Sequence, residues 1–458
     1  MITITGFLLL TLGMLAAAYR VLSWKDTMGD YLSSAQMLYE TDRDRVDALF
    51  VGSSHVYAAI NPDVIWREEG IAGFDMAISG QDATAAYYYT KEAFKRQSPR
   101  VVVVDLLATT FTEGLDGNTY RSMLSMRSGI NQASMVMADE NTAGRLAEYL
   151  LKWPIIHTRY RELGVYDFVT NPYNRFGRGY CYRFTSEEVK HTPGLEDLPD
   201  TEPVSDRNRA WVDDFVALAD RKGCALVTTI LPHEMKPEEK AVYNGVVAYL
   251  QEKGVPVIDF NHMVADLDLS YEEDFMDPGH LNYFGGEKLS RWLSAYLRER
   301  YGLADHRGDP AYADWDQSLS YAEHLILSND LNCMERVGTI CSRLAKEQDL
   351  LLVLQVSGEG GNLTEEQRQA ADLLMPEPSF FDGTGTAVLE TGSRTVIRNP
   401  GTTKPFDLDI CPGTVLRVSA DGSTVSVGDH TLFDGADGLH IAAISRRTND
   451  LIFERTFN

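Results

Sequence analysis

From residue 46 onward, short and nearly continuous apolar runs alternate with longer amphipathic stretches, and this rhythm restricts the chain to few architectures. The runs are VDALFVG (46–52), FDMAI (74–78), VVVVDLL (101–107), CALVTTIL (224–231) and VPVIDF (255–260). β-Branched runs of this length without polar alternation read as strands buried on both faces, which means a parallel sheet covered by helices. DATAAYYYTKEAFKRQ and KPEEKAVYNGVVAYLQEKG lie between runs and carry helical periodicity, the second ending at Gly254 before Val-Pro. Strand–helix–strand alternation with right-handed crossovers predicts an α/β, doubly wound, five-stranded parallel sheet. Sheets of this kind present their sites at the carboxyl ends of the strands.

The rest of the chain departs from that rhythm in three places. Residues 110–222 hold helical pieces such as NTAGRLAEYLLKW and the acidic, proline-rich TPGLEDLPDTEPVSD, an expected insertion forming a helical cap or wall over the site. ADHRGDPAYADWDQ (304–317) reads as a linker, and a helix over about 319–346 is expected after it. Beyond it, DLLLVLQVSG, TVLRVSADGS, TVSVGDHTLF and LHIAAISRRTNDLIFERTF are short strands and turns of a smaller β-rich domain. The expected domains are therefore 46–318 and 330–458, preceded by an anchor over 1–23. At 458 residues the chain is long enough for two cores.

The first nineteen residues, MITITGFLLLTLGMLAAAY, carry no charge, and about twenty apolar residues cross a bilayer as a helix. Tyr19 and Trp24 suit a membrane interface. Arg20 and Lys25 follow the segment and nothing basic precedes it, so the charge rule gives no support to an outside domain. Ala16-Ala17-Ala18 also resembles a signal-peptidase site, and a buried soluble helix is a third reading. Membrane anchoring with extracytoplasmic domains is the expectation.

Composition excludes one partner class. A net charge of −25 argues against nucleic acid, whose binding rests on Lys and Arg neutralising phosphates. The five cysteines, Cys181, Cys224, Cys333, Cys341 and Cys411, form no pair or Cys/His cluster with zinc-ligand spacing. Cys224 reads as a packing residue, and Cys333 and Cys341 could meet in the fold. No metal or cofactor is expected.

Two short motifs could carry chemistry. VGSSHV (51–56) follows the first run, where a strand ending in Gly and small residues exposes a side chain beside the next helix's free backbone N–H groups. Those donors can stabilise an oxyanion, and a serine there needs a base. Alone, the motif is equally a strand-to-helix turn capped by serine. DPGHLN (277–282) follows the last run; Asp277 can turn back through Pro278-Gly279 onto His280, fix its tautomer and stabilise imidazolium. Alone, it is equally a capping Asp beside a surface His. Together they stand in the order, and at the strand ends, that a serine–histidine site requires.

On these residues the chain resembles the SGNH/GDSL hydrolase superfamily, in its DltD-like (D-alanine-transfer) and polysaccharide O-acetyltransferase branch. The resemblance covers roughly 46–318 and rests on VGSSHVYAAINPDVIW, AISGQDATAAYYY and DFMDPGHLNYFGGEKLS. It implies Ser54 as nucleophile, His280 and Asp277 as its base and orienting carboxylate, and the Ser54 and Gly80 N–H groups as oxyanion donors. The superfamily's Gly-x-Asn-Asp after the third strand is absent, since the chain reads VVVVDLLATTF there. Asp105 near that place would oppose an oxyanion and receives no catalytic role; Gln81 is a candidate replacement donor. His55, His157, Arg159 and His233 are candidate pocket residues, against a satisfied buried His for His55 and an Arg159–Glu162 helix pair.

The stretch 330–458, from NLTEEQRQAADLL to GLHIAAISRRTNDLIFERTF, resembles the interleukin-like EMT inducer (ILEI) domain, which implies sugar binding. The resemblances together imply serine-dependent acyl transfer or ester hydrolysis on a cell-envelope glycan, with a membrane-bound O-acyltransferase as donor partner. An inactive scaffold presenting its C-terminal domain to surface polysaccharide is the competing reading, kept open by the missing Asn.

Overall fold

A computed structural model of the chain describes residues 2–23, 33–111, 122–138, 140–164, 167–168, 176–357, 363–375, 385–393, 396–398, 406–411, 414–419, 424–434, 437–447 and 449–458. Trp24 and Lys25 lie outside the described residues. The chain divides into two units, Met1–Leu319 and Ser320–Asn458.

The first unit contains the parallel sheet. Its strands are β1 (Ala48–Gly52), β2 (Gly73–Ala77), β3 (Val101–Asp105), β4 (Ala225–Ile230) and β5 (Val257–Asp259), in the order β2-β1-β3-β4-β5. Every pairing is parallel, with Ala48 opposite both Gly73 and Val101, Val101 opposite Ala225, and Thr228 opposite Val257. β1, β2 and β3 are buried along their whole length, as continuous apolar runs predict. The strand order reverses between β1 and β3, so the carboxyl ends of those two strands flank the switch-point crevice.

Helices cover both faces. α1 (Ile2–Leu22) and α2 (Ser33–Glu40) precede the sheet; α3 (Ser54–Ala59), α4 (Pro62–Glu69) and α5 (Ala83–Ala93) follow in the first two crossovers. Asn61 caps α4 by accepting from the Asp63 and Val64 N–H groups, and Asp82 caps α5 by accepting from Ala85 N–H at 2.6 Å. Leu49, Val51, Phe74 and Met76 point to one core with Tyr89 and Phe215. Phe50, Val101 and Val103 point to the other, with Val56, Ile65, Leu289 and Leu293. This is the period-two alternation of a strand feeding two layers at once.

The insertion has two parts. Helices Ile130–Ala138, Leu146–Leu151 and Trp153–Ile156 lie on the α5 side, where buried Met135 and Val136 join the first core and Asn131 donates to Glu92 at 2.8 Å. An extended leg then runs past α3 and the segment 271–275: Cys181 N–H donates to Tyr57 O, Glu187 N–H to Phe275 O, and Val189 N–H to Tyr271 O. Residues 206–222 form the helix leading into β4 and belong to the sandwich proper.

The segment read as a linker is packed instead. His306 N–H donates to Gly70 O, the His306 ring stacks on Tyr312 at 3.9 Å, and Trp315 Nε1–H donates to Gly73 O at 3.2 Å. Its aromatic residues outweigh its polar composition. The helix expected at 319–346 is two helices, Ala313–Cys333 and Val337–Leu344.

The second unit is antiparallel. β8 (Leu350–Ser357), β9 (Gly385–Glu390), β10 (Val396–Arg398), β15 (Gly438–Ser445) and β16 (Leu451–Phe457) form one sheet in the order β10-β9-β8-β15-β16. β11 (Phe406–Cys411), β12 (Thr414–Val418), β13 (Thr424–Val427) and β14 (His430–Asp434) form a four-stranded meander. Leu351, Val353, Ala442 and Ile444 meet Leu416, Val425 and Phe433 of the meander. Leu352, Leu354, Ile441 and Ala443 meet Ile340, Leu344, Ala370 and Ala371 of the helices on the other face. Cys181, Cys224, Cys333 and Cys341 are free thiols, so Cys333 and Cys341, which could have met in the fold, form no disulfide; the Cys411 side chain lies outside the described residues.

Candidate active site

The first half of the site is the β1–α3 turn. Gly52 ends β1, and a Cβ there would lie 2.6 Å from Val56 Cγ2 and 3.0 Å from Asp105 Cβ, so only glycine lets the chain turn this tightly. Ser53 occupies the N-cap position of α3, yet its hydroxyl is buried and makes no capping bond. Ser54 is the first helical residue and remains partly accessible. The turn therefore does not use serine as a cap, which was the alternative reading of the motif.

The second half is a two-stranded hairpin, β6 (Phe275–Asp277) and β7 (His280–Leu281), in which Asp277 pairs with His280 across Pro278-Gly279. Gly279 N–H donates to Asp277 Oδ1 at 2.7 Å and fixes the carboxylate over the turn. Asn282 then caps the next helix by accepting from Phe284 and Gly285 N–H groups, while its amide donates to Glu273 O at 2.6 Å.

The halves meet. His280 Nε2 lies 2.7 Å from Ser54 Oγ, and His280 Nδ1 lies 2.8 and 2.9 Å from the two Asp277 carboxylate oxygens. A carboxylate only accepts, so Nδ1 carries the proton and Nε2 presents its lone pair to the serine O–H. The His280 side chain is 24% exposed and that of Asp277 39%, so the relay opens to solvent on the carboxylate side.

Gly80 lies in the turn after β2 at φ +60°, a left-handed conformation that favours glycine, and the turn closes through Gln81 N–H to Ile78 O at 2.9 Å. Gln81 itself is fully buried, and both atoms of its amide lack a hydrogen-bond partner. Asp105, at the end of β3, is turned into the sheet: it accepts from Leu107 N–H at 3.2 Å and Leu231 N–H at 3.3 Å. Burial pushes its carboxyl up to about 7, the backbone donors opposing that rise.

Two further histidines adjoin His280. The His55 ring is 5.3 Å from that of His280, nearly edge-on, and 4.8 Å from that of His233. Burial holds both His55 and His233 below the usual imidazole range, and neighbouring imidazoles add to the effect. His233 Nδ1–H donates to Leu231 O at 2.8 Å, which leaves Nε2 as a buried acceptor without a partner; His55 Nδ1 also has none. His233 N–H donates to Asn261 Oδ1 at 3.1 Å, and the Asn261 amide donates to Asp259 at 3.0 Å and Leu231 O at 3.3 Å. Asn261 is thus the residue that shapes the loop after β4. Only its position two residues past the end of a strand hinted at this.

The other two candidates lie elsewhere. His157 is exposed on the 3₁₀ turn His157–Arg161. Arg159 is buried, but its Nη1 donates to Leu22 O at 2.9 Å and Ser23 O at 2.6 Å and its Nη2 pairs with Asp167 at 2.9 Å. It holds the last turn of α1, where carbonyls lack helical partners, and neither lines the serine site nor pairs with Glu162.

Fold and site together define an α/β protein with a Ser–His–Asp relay at the switch point of its sheet. No protein-family model matches the chain. No curated protein matches it. Among solved structures it is similar to a chain from Bacteroides fragilis provisionally described as an acylhydrolase, at 12% identity and TM-score 0.30, covering 60% of this chain and 99% of that one. It is also similar to the acetyl xylan esterase Est2A of the rumen bacterium Butyrivibrio proteoclasticus, at 10% identity and TM-score 0.25, covering 57% of this chain and 65% of that one. Likenesses this remote carry no argument, and the function is read from the site.

Proposed function

We propose that the chain is a serine-dependent acyl-transfer enzyme of the SGNH type, acting on an ester outside the cytoplasm. The observation that carries the reading is the unbroken relay Ser54–His280–Asp277, whose two heavy-atom steps at His280 are 2.7 and 2.8 Å. Ser54 Oγ attacks the ester carbonyl as its proton passes to His280 Nε2, and a tetrahedral oxyanion forms. Backbone N–H groups of Ser54 and Gly80 are the proposed oxyanion donors. Collapse breaks the bond to the leaving alkoxide, which takes the proton from His280 and leaves an acyl-Ser54 ester. A hydroxyl acceptor, water or sugar, repeats the sequence in reverse through the same imidazole.

The proposed acceptor is a cell-envelope glycan, with a membrane-bound O-acyltransferase as donor partner. Support for that placement is α1: its segment Thr5–Leu22 is long and apolar enough to cross a membrane, and it is unburied. The test is hydrolysis of p-nitrophenyl acetate by the full-length chain in detergent, with Ser54→Ala and His280→Ala as partners. Turnover lost in both variants, with unchanged thermal unfolding, supports the reading. Turnover persisting in Ser54→Ala refutes it. Acetylated oligosaccharide formed when glycan is added separates transferase from esterase.

A further inference from the structure

Outside α1, the described residues of the first unit expose seven large apolar side chains. Six of them fall between residues 130 and 168: Ile130, Met137, Leu151, Trp153, Tyr160 and Phe168. Leu151 and Phe168 are each 65% exposed and Ile130 73%, values that a water-facing surface does not favour in such a short stretch. The same stretch holds the end of α1, because Arg159 donates to Leu22 O and Ser23 O while pairing with Asp167. Charge agrees with the apolar character. Residues 130–168 carry four basic side chains against five acidic ones, close to neutral in a chain whose net charge is −25. Trp153 and Tyr160 also join an apolar ring to a polar tip, the combination favoured at a headgroup boundary.

We propose that Ile130, Met137, Leu151, Trp153, Tyr160 and Phe168 form a second membrane contact, seated at the headgroup–acyl boundary of the bilayer that α1 crosses. The occupant is lipid, since the stretch carrying these side chains holds the exit of the apolar helix and is close to neutral, so it meets anionic headgroups with little repulsion. Arg159 is the positioning residue. By bonding Leu22 O and Ser23 O, it ties the stretch that carries these six side chains to the end of the helix. The inference rests on α1 as an anchor and is independent of the chemistry at Ser54.

The test uses the full-length chain in phosphatidylcholine–phosphatidylglycerol vesicles, with nitroxide labels at Leu151→Cys, Phe168→Cys and, as a control, Phe284→Cys in a Cys224→Ser, Cys333→Ser, Cys411→Ser background. Power-saturation EPR is expected to give labels at 151 and 168 that oxygen reaches and a nickel chelate does not, with nickel accessibility several-fold below that at 284. Equal nickel accessibility at all three, in protein that floats with the vesicles, overturns the surface while leaving the anchor intact. Protein that fails to float overturns both. Protection present in native membranes but absent in pure lipid vesicles means that a protein partner covers the patch, and the lipid proposal fails.

Discussion

Replacing Asp277 by Asn separates the orienting role of the carboxylate from everything else at the site. Both carboxylate oxygens lie within 2.9 Å of His280 Nδ1, so an isosteric amide keeps contact but can present N–H where an acceptor is required. The imidazole then favours the tautomer with its proton on Nε2, which cannot receive the Ser54 proton. In a buried triad this substitution costs about 10⁴-fold in kcat. Asp277 is 39% exposed, so water can take over part of the carboxylate's electrostatic role. The expected loss is therefore smaller, about 10²–10³-fold, or roughly 3–4 kcal/mol of transition-state stabilisation at 1.36 kcal/mol per decade. KM should change little, because the carboxylate touches the base and not the substrate. Steady-state kinetics on a chromogenic ester measures both constants. A kcat within threefold of wild type would refute the orienting role of Asp277, whereas a large rise in KM at constant kcat would place Asp277 in binding.

Three further outcomes follow from other parts of the fold. Gly80→Ala must hold a methyl group at φ +60°, a conformation costing an L-residue about 1–2 kcal/mol, and kcat should fall more than stability does; an unaffected kcat would remove the β2 turn from the oxyanion site. Arg159→Ala leaves buried Asp167 without its guanidinium and the end of α1 without its cap, for an expected loss of about 3 kcal/mol in chemical denaturation while Ser54 chemistry persists. His55 and His233 have folded pKa values below that of the unfolded chain, so the unfolded state binds protons first and stability declines as pH falls below about 6.5. Unfolding temperature measured from pH 7 to 5 should therefore drop less steeply in His233→Gln than in wild type, and an unchanged slope would contradict a neutral His233.

The parallel sheet was legible because each strand is a run of buried apolar residues, and VVVVD and ALFVG leave little else to choose. Ser54 was legible for a related reason: it stands directly past the end of β1. His280 was legible through DPGHLN, although the structure sets it in the β6–β7 hairpin and not at the end of a strand of the parallel sheet. What the sequence did not disclose depends on distant partners. Arg159 binds carbonyls 137 and 136 residues away, which no local spacing can reveal, so it read as a pocket or helix-pair residue. Residues 304–317 looked polar enough for a linker, but Tyr312 and Trp315 anchor them to the sheet's edge helix. His55, with the alternative of a satisfied buried histidine open to it, became a member of a three-imidazole cluster only through the loop that Asn261 shapes. Gln81, offered as a replacement donor, is buried with its amide unpartnered, which is compatible with that role without assigning it.

The central claim is that the serine hydroxyl beside His280 is the nucleophile. Treating the native chain with a fluorophosphonate and sequencing its peptides by tandem mass spectrometry tests that directly. A single stoichiometric adduct is expected on Ser54, with none on Ser53 and none in His280→Ala. A folded chain that takes up no probe, or takes it up elsewhere, contradicts it.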